Sequence, residues 1–182
     1  TIFVTHDQEE AMEVSNRIVI FSKGNLEQIG TPREVYEQPA NEFVARFIGV
    51  MNVLETEVRG GVSRLNELEF AAPGVPDGAR LRIGFRPYAV QISSDLAQFR
   101  HQAVLRRTYF LGIMLRLELE LASGLILRSR MTKEEYAQLG LHDGRPVSLQ
   151  IRNYRILAQE GAALPPELTA SNEPPPTIAE NI

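Results

Sequence analysis

The sequence contains no cysteine and no tryptophan in its 182 residues. Without thiols there is no disulfide framework, no cysteine zinc cluster and no thiol nucleophile. No apolar run approaches the roughly 20 residues a membrane helix needs, so direct membrane insertion is not expected. Positive charge is not in excess either. Lys and Arg number 19 against 23 Asp and Glu, and the net charge of −4 argues against general affinity for nucleic-acid backbones or anionic lipid. A glycine-rich run of the GxxxxGK[ST] form, whose backbone N–H groups and lysine would cradle phosphates, occurs nowhere. Nor does a hydrophobic strand ending in Asp-Glu that could hold magnesium.

What is present is an ordinary globular composition, 43% hydrophobic and 23% charged, long enough for one medium domain or two small ones. The informative stretch is the first sixteen residues, TIFVTHDQEEAMEVSN. Residues 1–4 suit a buried strand, Thr5-His6-Asp7 a short turn, and residues 8–14 a helix. Asp7 stands at the N-cap with Glu10 three residues on, the pattern of reciprocal capping, with negative charge at the positive end of the helix dipole. His6 therefore lies beside a helix N-terminus. Spacing alone gives a histidine after a strand no more than a surface or capping role.

The run Phe3-Val4-Thr5-His6-Asp7-Gln8-Glu9-Glu10-Ala11-Met12 resembles the switch-histidine segment of ABC-transporter ATPase subunits, in particular importers whose ATPase carries a C-terminal accessory domain. Later stretches are most similar to the sulfate/thiosulfate importer type. The resemblance implies that His6 contacts the γ-phosphate of ATP, with magnesium, across a homodimer of ATPase subunits. It also implies permease subunits as membrane partners and a cytoplasmic, peripheral location on the inner face of the membrane. The Ser-Gly-Gly-Gln signature of such ATPases is missing along with the phosphate loop. The chain opens on Thr1, inside an expected strand and without methionine, so it reads as the C-terminal part of a longer polypeptide. The full protein is implied to be an ATPase, whereas this chain is expected to be inactive alone, since phosphoryl transfer needs several such parts together.

Residues 17–22 and 25–30 read as a hairpin around Lys23-Gly24. Thr31-Pro32-Arg33-Glu34 supplies an N-cap, a proline at the first helical position and a glutamate at the third, and the helix stops before Pro39. Asn41 caps a further helix over 42–48 whose Phe43, Val44, Phe47 and Ile48 share a face, ended by Gly49. The segment from Gln38 to Gly49 resembles the one that closes the ATPase domain in these importers.

From Met51 onward short alternating runs appear, over 53–58, 81–85, 89–92, 101–109, 114–121, 125–130, 147–151 and 155–158. Gly, Pro and Asp punctuate them, the signature of a small barrel or sandwich. One helix, 132–139, is expected here, capped by Thr132 with Glu135 in support. A gapless repeat aligns residues 77–90 with 143–156: Asp-Gly turn, alternating apolar strand, arginine and tyrosine recur in both copies. Two related half-barrels sharing a core follow from it. The first copy, Gly84-Phe85-Arg86-Pro87-Tyr88-Ala89-Val90, resembles the Arg-Pro strand of the TOBE (transport-associated OB) domain, and the aromatic Tyr88 resembles the sulfate branch. Pro87 should mark a strand end or edge. The fold class expected is α+β: a C-terminal remnant of an α/β P-loop ATPase domain over 1–50, an OB-like TOBE barrel over 51–160, and a proline-rich tail over 161–182, read as extended and largely disordered.

Three further constellations of side chains stand out. Arg100, His101, Arg106 and Arg107 beside Phe99, Tyr109 and Phe110 form a basic, aromatic patch that OB-type barrels can use for single strands. The acidic balance and half-buried alternation speak against nucleic acid. His6, Asp7, Glu9 and Glu10 do not make a metal site, because capping accounts for Asp7 and Glu10. The resemblance implies an accessory domain of a kind that in some importers binds the transported anion, and Arg82, Arg86, Arg106, Arg128 and Arg130 offer forked donors for one, although exposed strand arginines need no such role. The function expected is the regulatory or dimerising part of an importer ATPase for an inorganic anion, sulfate or thiosulfate. The alternatives are an importer ATPase for sugar, polyamine or iron, and a free-standing OB-type module for an oxyanion or single-stranded nucleic acid. Self-association through the orphaned strand 1–4 is expected as well.

Overall fold

The structure is a computed structural model and describes residues 1–159; the proline-rich tail lies outside the described residues. Residues 1–5 adopt no regular structure, and Ile2, Phe3 and Val4 are exposed. The strand expected at 1–4 is therefore not formed. A strand persists only where neighbours take its backbone hydrogen bonds and its apolar face, and no described strand runs beside this one. Asp7 does cap α1 (Gln8–Val14), accepting the N–H groups of Glu9 at 2.9 Å and Glu10 at 3.1 Å. The reciprocal half of the cap differs from expectation: the Glu10 carboxylate accepts the Thr5 hydroxyl at 2.8 Å instead.

Strands β1 (Ile18–Ser22) and β2 (Asn25–Gly30) form the expected antiparallel hairpin. Its two-residue loop has both Lys23 (φ 50°) and Gly24 (φ 83°) in the left-handed region, which matches the twist of the flanking strands. Helix α2 (Pro32–Glu37) begins with a complete capping box between Thr31 and Glu34, and α3 (Glu42–Phe47) with Asn41 accepting the Val44 N–H. These elements bury Ile18, Ile20, Val35, Val44 and Ile48, with Ala11, Met12 and Tyr36 packed against them.

The remaining described residues build two five-stranded antiparallel sheets. The first consists of β3 (Asn52–Arg59), β4 (Val62–Leu65), β5 (Leu68–Ala71), β6 (Arg80–Phe85) and β12 (Arg155–Gln159), in the order β12-β6-β3-β4-β5. The second consists of β7 (Val90–Ser93), β8 (His101–Leu111), β9 (Met114–Leu121), β10 (Ile126–Thr132) and β11 (Pro146–Ile151), in the order β7-β11-β8-β9-β10. Helix α4 (Lys133–Gln138), with a capping box from Thr132 and Glu135, joins β10 to β11.

The two orders are the same pattern written twice, and the halves exchange their last strands: β7 leaves the first half to pair with β11, and β12 returns to pair with β6. The repeat seen in the sequence is the hinge of this exchange. In the first copy Gly78 donates to the Val58 carbonyl (2.8 Å) and Val58 to that of Ala79 (2.9 Å). In the second, Gly144 donates to Leu105 (2.7 Å) and Leu105 to Arg145 (2.9 Å). Inward residues of both sheets, among them Ile83, Phe85, Leu105, Leu117, Leu119 and Leu149, form one continuous core. Neither sheet could bury its apolar face without the other. The seam beside β10 is closed by Asn52, whose amide donates to the Arg128 carbonyl and accepts the Arg128 N–H, each at 2.8 Å, as a neighbouring strand would. The chain is thus α+β, with a β-rich double sheet as its larger part. No described helix is long and apolar enough to cross a membrane.

Candidate functional site

His6 sits in the bend immediately before α1, exposed to solvent. Thr5 and Asp7 on either side are tied to each other, the Asp7 N–H donating to the Thr5 hydroxyl at 3.0 Å, so the bend is held while the imidazole is left without a hydrogen-bond partner among the described residues. No group of three or more His, Cys, Asp or Glu side chains among the described residues could hold a metal ion. His6 is therefore one presented imidazole, able to meet an anion brought from outside. The residues present do not complete a nucleotide or magnesium site around it.

The most elaborate polar assembly lies elsewhere, at the joint between the helices and the double sheet, and centres on Arg86. This guanidinium is only 3% exposed and has no carboxylate partner among the described residues. Its Nη1 donates to the carbonyls of Ala45 and Gly49 (3.0 Å each) and Val50 (3.3 Å). Its Nη2 and Nε donate to the Tyr36 carbonyl (3.0 and 3.3 Å). Tyr36 and Ala45 belong to the last turns of α2 and α3, whose carbonyls have no intrahelical donor and carry the negative end of the helix dipole. One fork thus closes two helix ends. Burial pulls the Arg86 pKa below the usual arginine value, opposed by Tyr36 and Tyr88.

The surroundings reinforce this grip. The Tyr36 ring lies 4.2 Å under the guanidinium and stacks with Tyr88, centroids 6.4 Å apart. From the adjacent strand, Arg155 donates to the Glu37 carbonyl at 2.9 Å. Arg82 pairs with Glu42 of α3 at 2.8 Å. The backbone at Gly84 comes so close to this seam that a Cβ there would stand 2.4 Å from Leu157 Cδ1 and 2.9 Å from Met51 Sδ. Glycine is required by close approach here, since its conformation is ordinary strand.

The joint revises the expected oxyanion donors. Arg86 is spent on backbone carbonyls. Arg82 is held by Glu42 and by Glu55 (3.2 Å), and Arg106 by Glu120. Arg128 and Arg130 stand on the outer face of β10. The five do not converge. The basic, aromatic patch also separates: Arg100 pairs with Glu69 at 2.8 Å, while Arg107 lies farther along β8 against Tyr109. His101 faces inward, where burial first and Arg100 second lower its pKa, with Glu67 and Glu69 opposing. A depression of about 610 Å³ on the first sheet is lined by Glu55, Glu57, Arg64, Arg80 and Arg82, opposite charges in near balance. Sequence reasoning singled out the Gly84–Val90 stretch but missed the role of Arg86. The available signal was an arginine immediately after an alternating apolar strand, at a point where the chain leaves the sheet.

No protein-family model matches the chain. Curated relatives do. The sulfate/thiosulfate import ATP-binding protein CysA of Bordetella pertussis is 36% identical over 162 residues, 87% of this chain and 46% of that protein. CysA 2 of Shewanella oneidensis is 33% identical over 165 residues, 88% of this chain and 46% of the relative. CysA of Thermosynechococcus vestitus is 37% identical over 152 residues, 84% and 42% respectively. The chain thus spans less than half the length of these relatives. Among solved structures, the cytoplasmic molybdate-binding protein ModG with molybdate bound superposes with a TM-score of 0.46 and 18% identity, over 55% of this chain and 89% of that one. That likeness is too distant to transfer a ligand. The relatives do not favour a free-standing binding module. Over 84–88% of its length the chain is similar to sulfate/thiosulfate import ATP-binding proteins.

Proposed function

We propose that the protein containing this chain is an ATPase subunit that energises import of an inorganic anion, sulfate or thiosulfate, through membrane permease subunits at the inner face of the cell membrane. The observation that carries the reading is similarity to sulfate/thiosulfate import ATP-binding proteins across 87% of the chain. In it, residues 1–50 are the last part of the ATPase domain, and His6 contacts the γ-phosphate of magnesium-bound ATP across a pair of ATPase subunits. Residues 51–160 form the accessory domain, serving subunit dimerisation or regulation. The exposed imidazole of His6 in a bend fixed by Thr5 and Asp7 agrees with that role.

The test is transport by the complete protein. Expressed in a strain lacking its own sulfate-importer ATPase, it should restore uptake of labelled sulfate. His6→Ala should cut ATP turnover about a hundredfold or more, the scale seen when one preorganised donor is removed from a developing charge. Uptake of another cargo but not of sulfate or thiosulfate would overturn the substrate, and unchanged turnover in His6→Ala would overturn the residue's role. This chain alone should show no ATP turnover above buffer, because its sequence lacks the phosphate loop.

A further inference from the structure

The two halves of the double sheet differ in one respect that the duplication does not require. In the first sheet β3, β4 and β5 have 8, 4 and 4 residues, whereas in the second β8, β9 and β10 have 11, 8 and 7. Strand β11 accompanies β8 only over His101–Val104. Beyond that point β8, β9 and β10 continue as a three-stranded extension, with α4 against its inner side through the Thr108 and Tyr136 hydroxyls, 3.2 Å apart.

The outer face of this extension is charged in an unusual way. On the first sheet every cross-strand neighbour of Arg64 is acidic, Glu57 on one side and Glu69 on the other, and the Arg64–Glu69 pair closes at 3.1 Å. On the extension Arg116 has Tyr109 on one side and Arg130 directly opposite on the other. Like charges facing each other across a sheet repel. The Arg116 guanidinium lies over the Tyr109 ring at 4.4 Å, and its Nε is buried without a hydrogen-bond partner among the described residues. Arg128 and Arg107 flank the same Glu118 in the next row, yet neither these two nor Arg130 closes an ion pair within 4 Å among the described residues. This face therefore carries a surplus of cations on a chain whose net charge is −4.

We infer that this face is a docking surface for an acidic, extended segment of a partner protein, whose carboxylates supply the anions missing between Arg116, Arg130 and Arg128. Charge and spacing both select that occupant. Arg128 and Arg130 are alternate residues of one strand, about 7 Å apart, the repeat at which alternate side chains of an extended peptide project. Apolar side chains bound the charged rows, Ile126 at one end and Leu111 with Ile113 at the other, all exposed, as expected of a protein interface in which Arg and Tyr are central. Nucleic acid fits poorly, because the Tyr109 ring is covered by a guanidinium on the face a base would use. A second copy docking by this same face would set arginine against arginine. The inference is independent of the transport reading and needs no nucleotide.

The test is fluorescence anisotropy of this chain with a short fluorescein-labelled peptide carrying Glu at alternate positions and Leu at both ends. The same peptide with Gln for Glu, a labelled oligothymidylate and sodium sulfate at matched ionic strength are run beside it. The Glu peptide should bind and the Gln peptide should not. Arg130→Glu and Arg116→Gln should each weaken binding about tenfold or more, the scale for truncating one partner of a charged contact. Arg64→Gln should leave binding unchanged. Arg130→Glu removes the like-charge pair, so its melting temperature should equal or exceed that of the parent, which separates lost binding from lost folding. Failure of the Glu peptide to bind, or equal loss in Arg64→Gln, overturns the inference. So does tighter binding of the oligonucleotide, displacement by sulfate, or self-association of the chain that Arg130→Glu abolishes.

Discussion

At the scale of single residues, Arg86 is the side chain whose loss should cost most. Its five donor contacts end on carbonyls of Tyr36, Ala45, Gly49 and Val50, which have no other described side-chain donor. Arg86→Ala strands these acceptors and opens a void over the Tyr36 ring, so it should destabilise the chain by about 2–3 kcal/mol. Arg86→Lys should recover less than half of that, because one ammonium cannot span two helix ends as the planar fork does. Urea denaturation of the three chains checks both statements, and an alanine variant within about 0.5 kcal/mol of the parent would contradict them. Neighbouring Gly84→Ala should cost about 1–3 kcal/mol by forcing Leu157 and Met51 aside. The sequence displayed Gly84-Phe85-Arg86-Pro87 as a unit, but the acceptors of Arg86 lie 36 to 50 positions away, and no local pattern reports where a long side chain ends. For the same reason Arg86 looked like an anion donor until the fold showed its partners. His6 was legible only through the resemblance of ten consecutive residues, since its bend carries no other chemistry.

At the scale of elements, the seam at the start of β8 should respond to pH. His101 is half buried among Glu67, Glu69 and Arg100, and burial followed by Arg100 lowers its folded-state pKa. A base with a depressed folded pKa binds its proton less readily in the native than in the unfolded chain. Stability should therefore fall as pH drops through the unfolded value near 6.5, and the loss should level off once pH passes below the folded pKa. His101→Gln should remove that limb, so urea midpoints at about pH 7.5 and about pH 5.5 should converge in the variant and differ in the parent. An identical pH response in both chains would assign the limb to other groups. Strands were well marked in the sequence wherever alternation ran six residues or more: Met114–Leu121 alternates throughout, and its inward leucines are buried. Strands β4 and β5 were not anticipated, because Val62–Leu65 and Leu68–Ala71 are four residues each around a tight turn with Asn66 at φ 52°. Such segments are strands because a neighbour templates them, β3 for β4 and β4 for β5. The expected strand at 1–4 fails by the same logic reversed, having pattern but no template.

At the scale of the whole molecule, the two parts of the chain satisfy their surfaces unequally. The double sheet turns the apolar faces of both halves onto one core, and its outer faces are charged. The hairpin β1–β2 does not: Val19 opposes Ile29, and Phe21 opposes Leu26, on a face that points to solvent, with Phe21 62% exposed. Ile2 and Val4 are apolar side chains also left in solvent, 95% and 90% exposed. A two-stranded sheet with four paired apolar side chains outward is a surface that gains by being covered, at about 25 cal/mol for each Å² removed from water. In water, a second copy of the chain is the cover always available. The chain should therefore self-associate through this hairpin, seen as a weight-average mass that rises with concentration in light scattering. Phe21→Lys should shift the association midpoint to about tenfold higher concentration, since it places a charge at the centre of the face without touching the buried Ile18 and Ile20. The docking variant Arg130→Glu, on the far sheet, should leave this association unchanged, so the two surfaces can be told apart. A mass that stays monomeric throughout, or a rise that Phe21→Lys does not alter, would place the cover elsewhere.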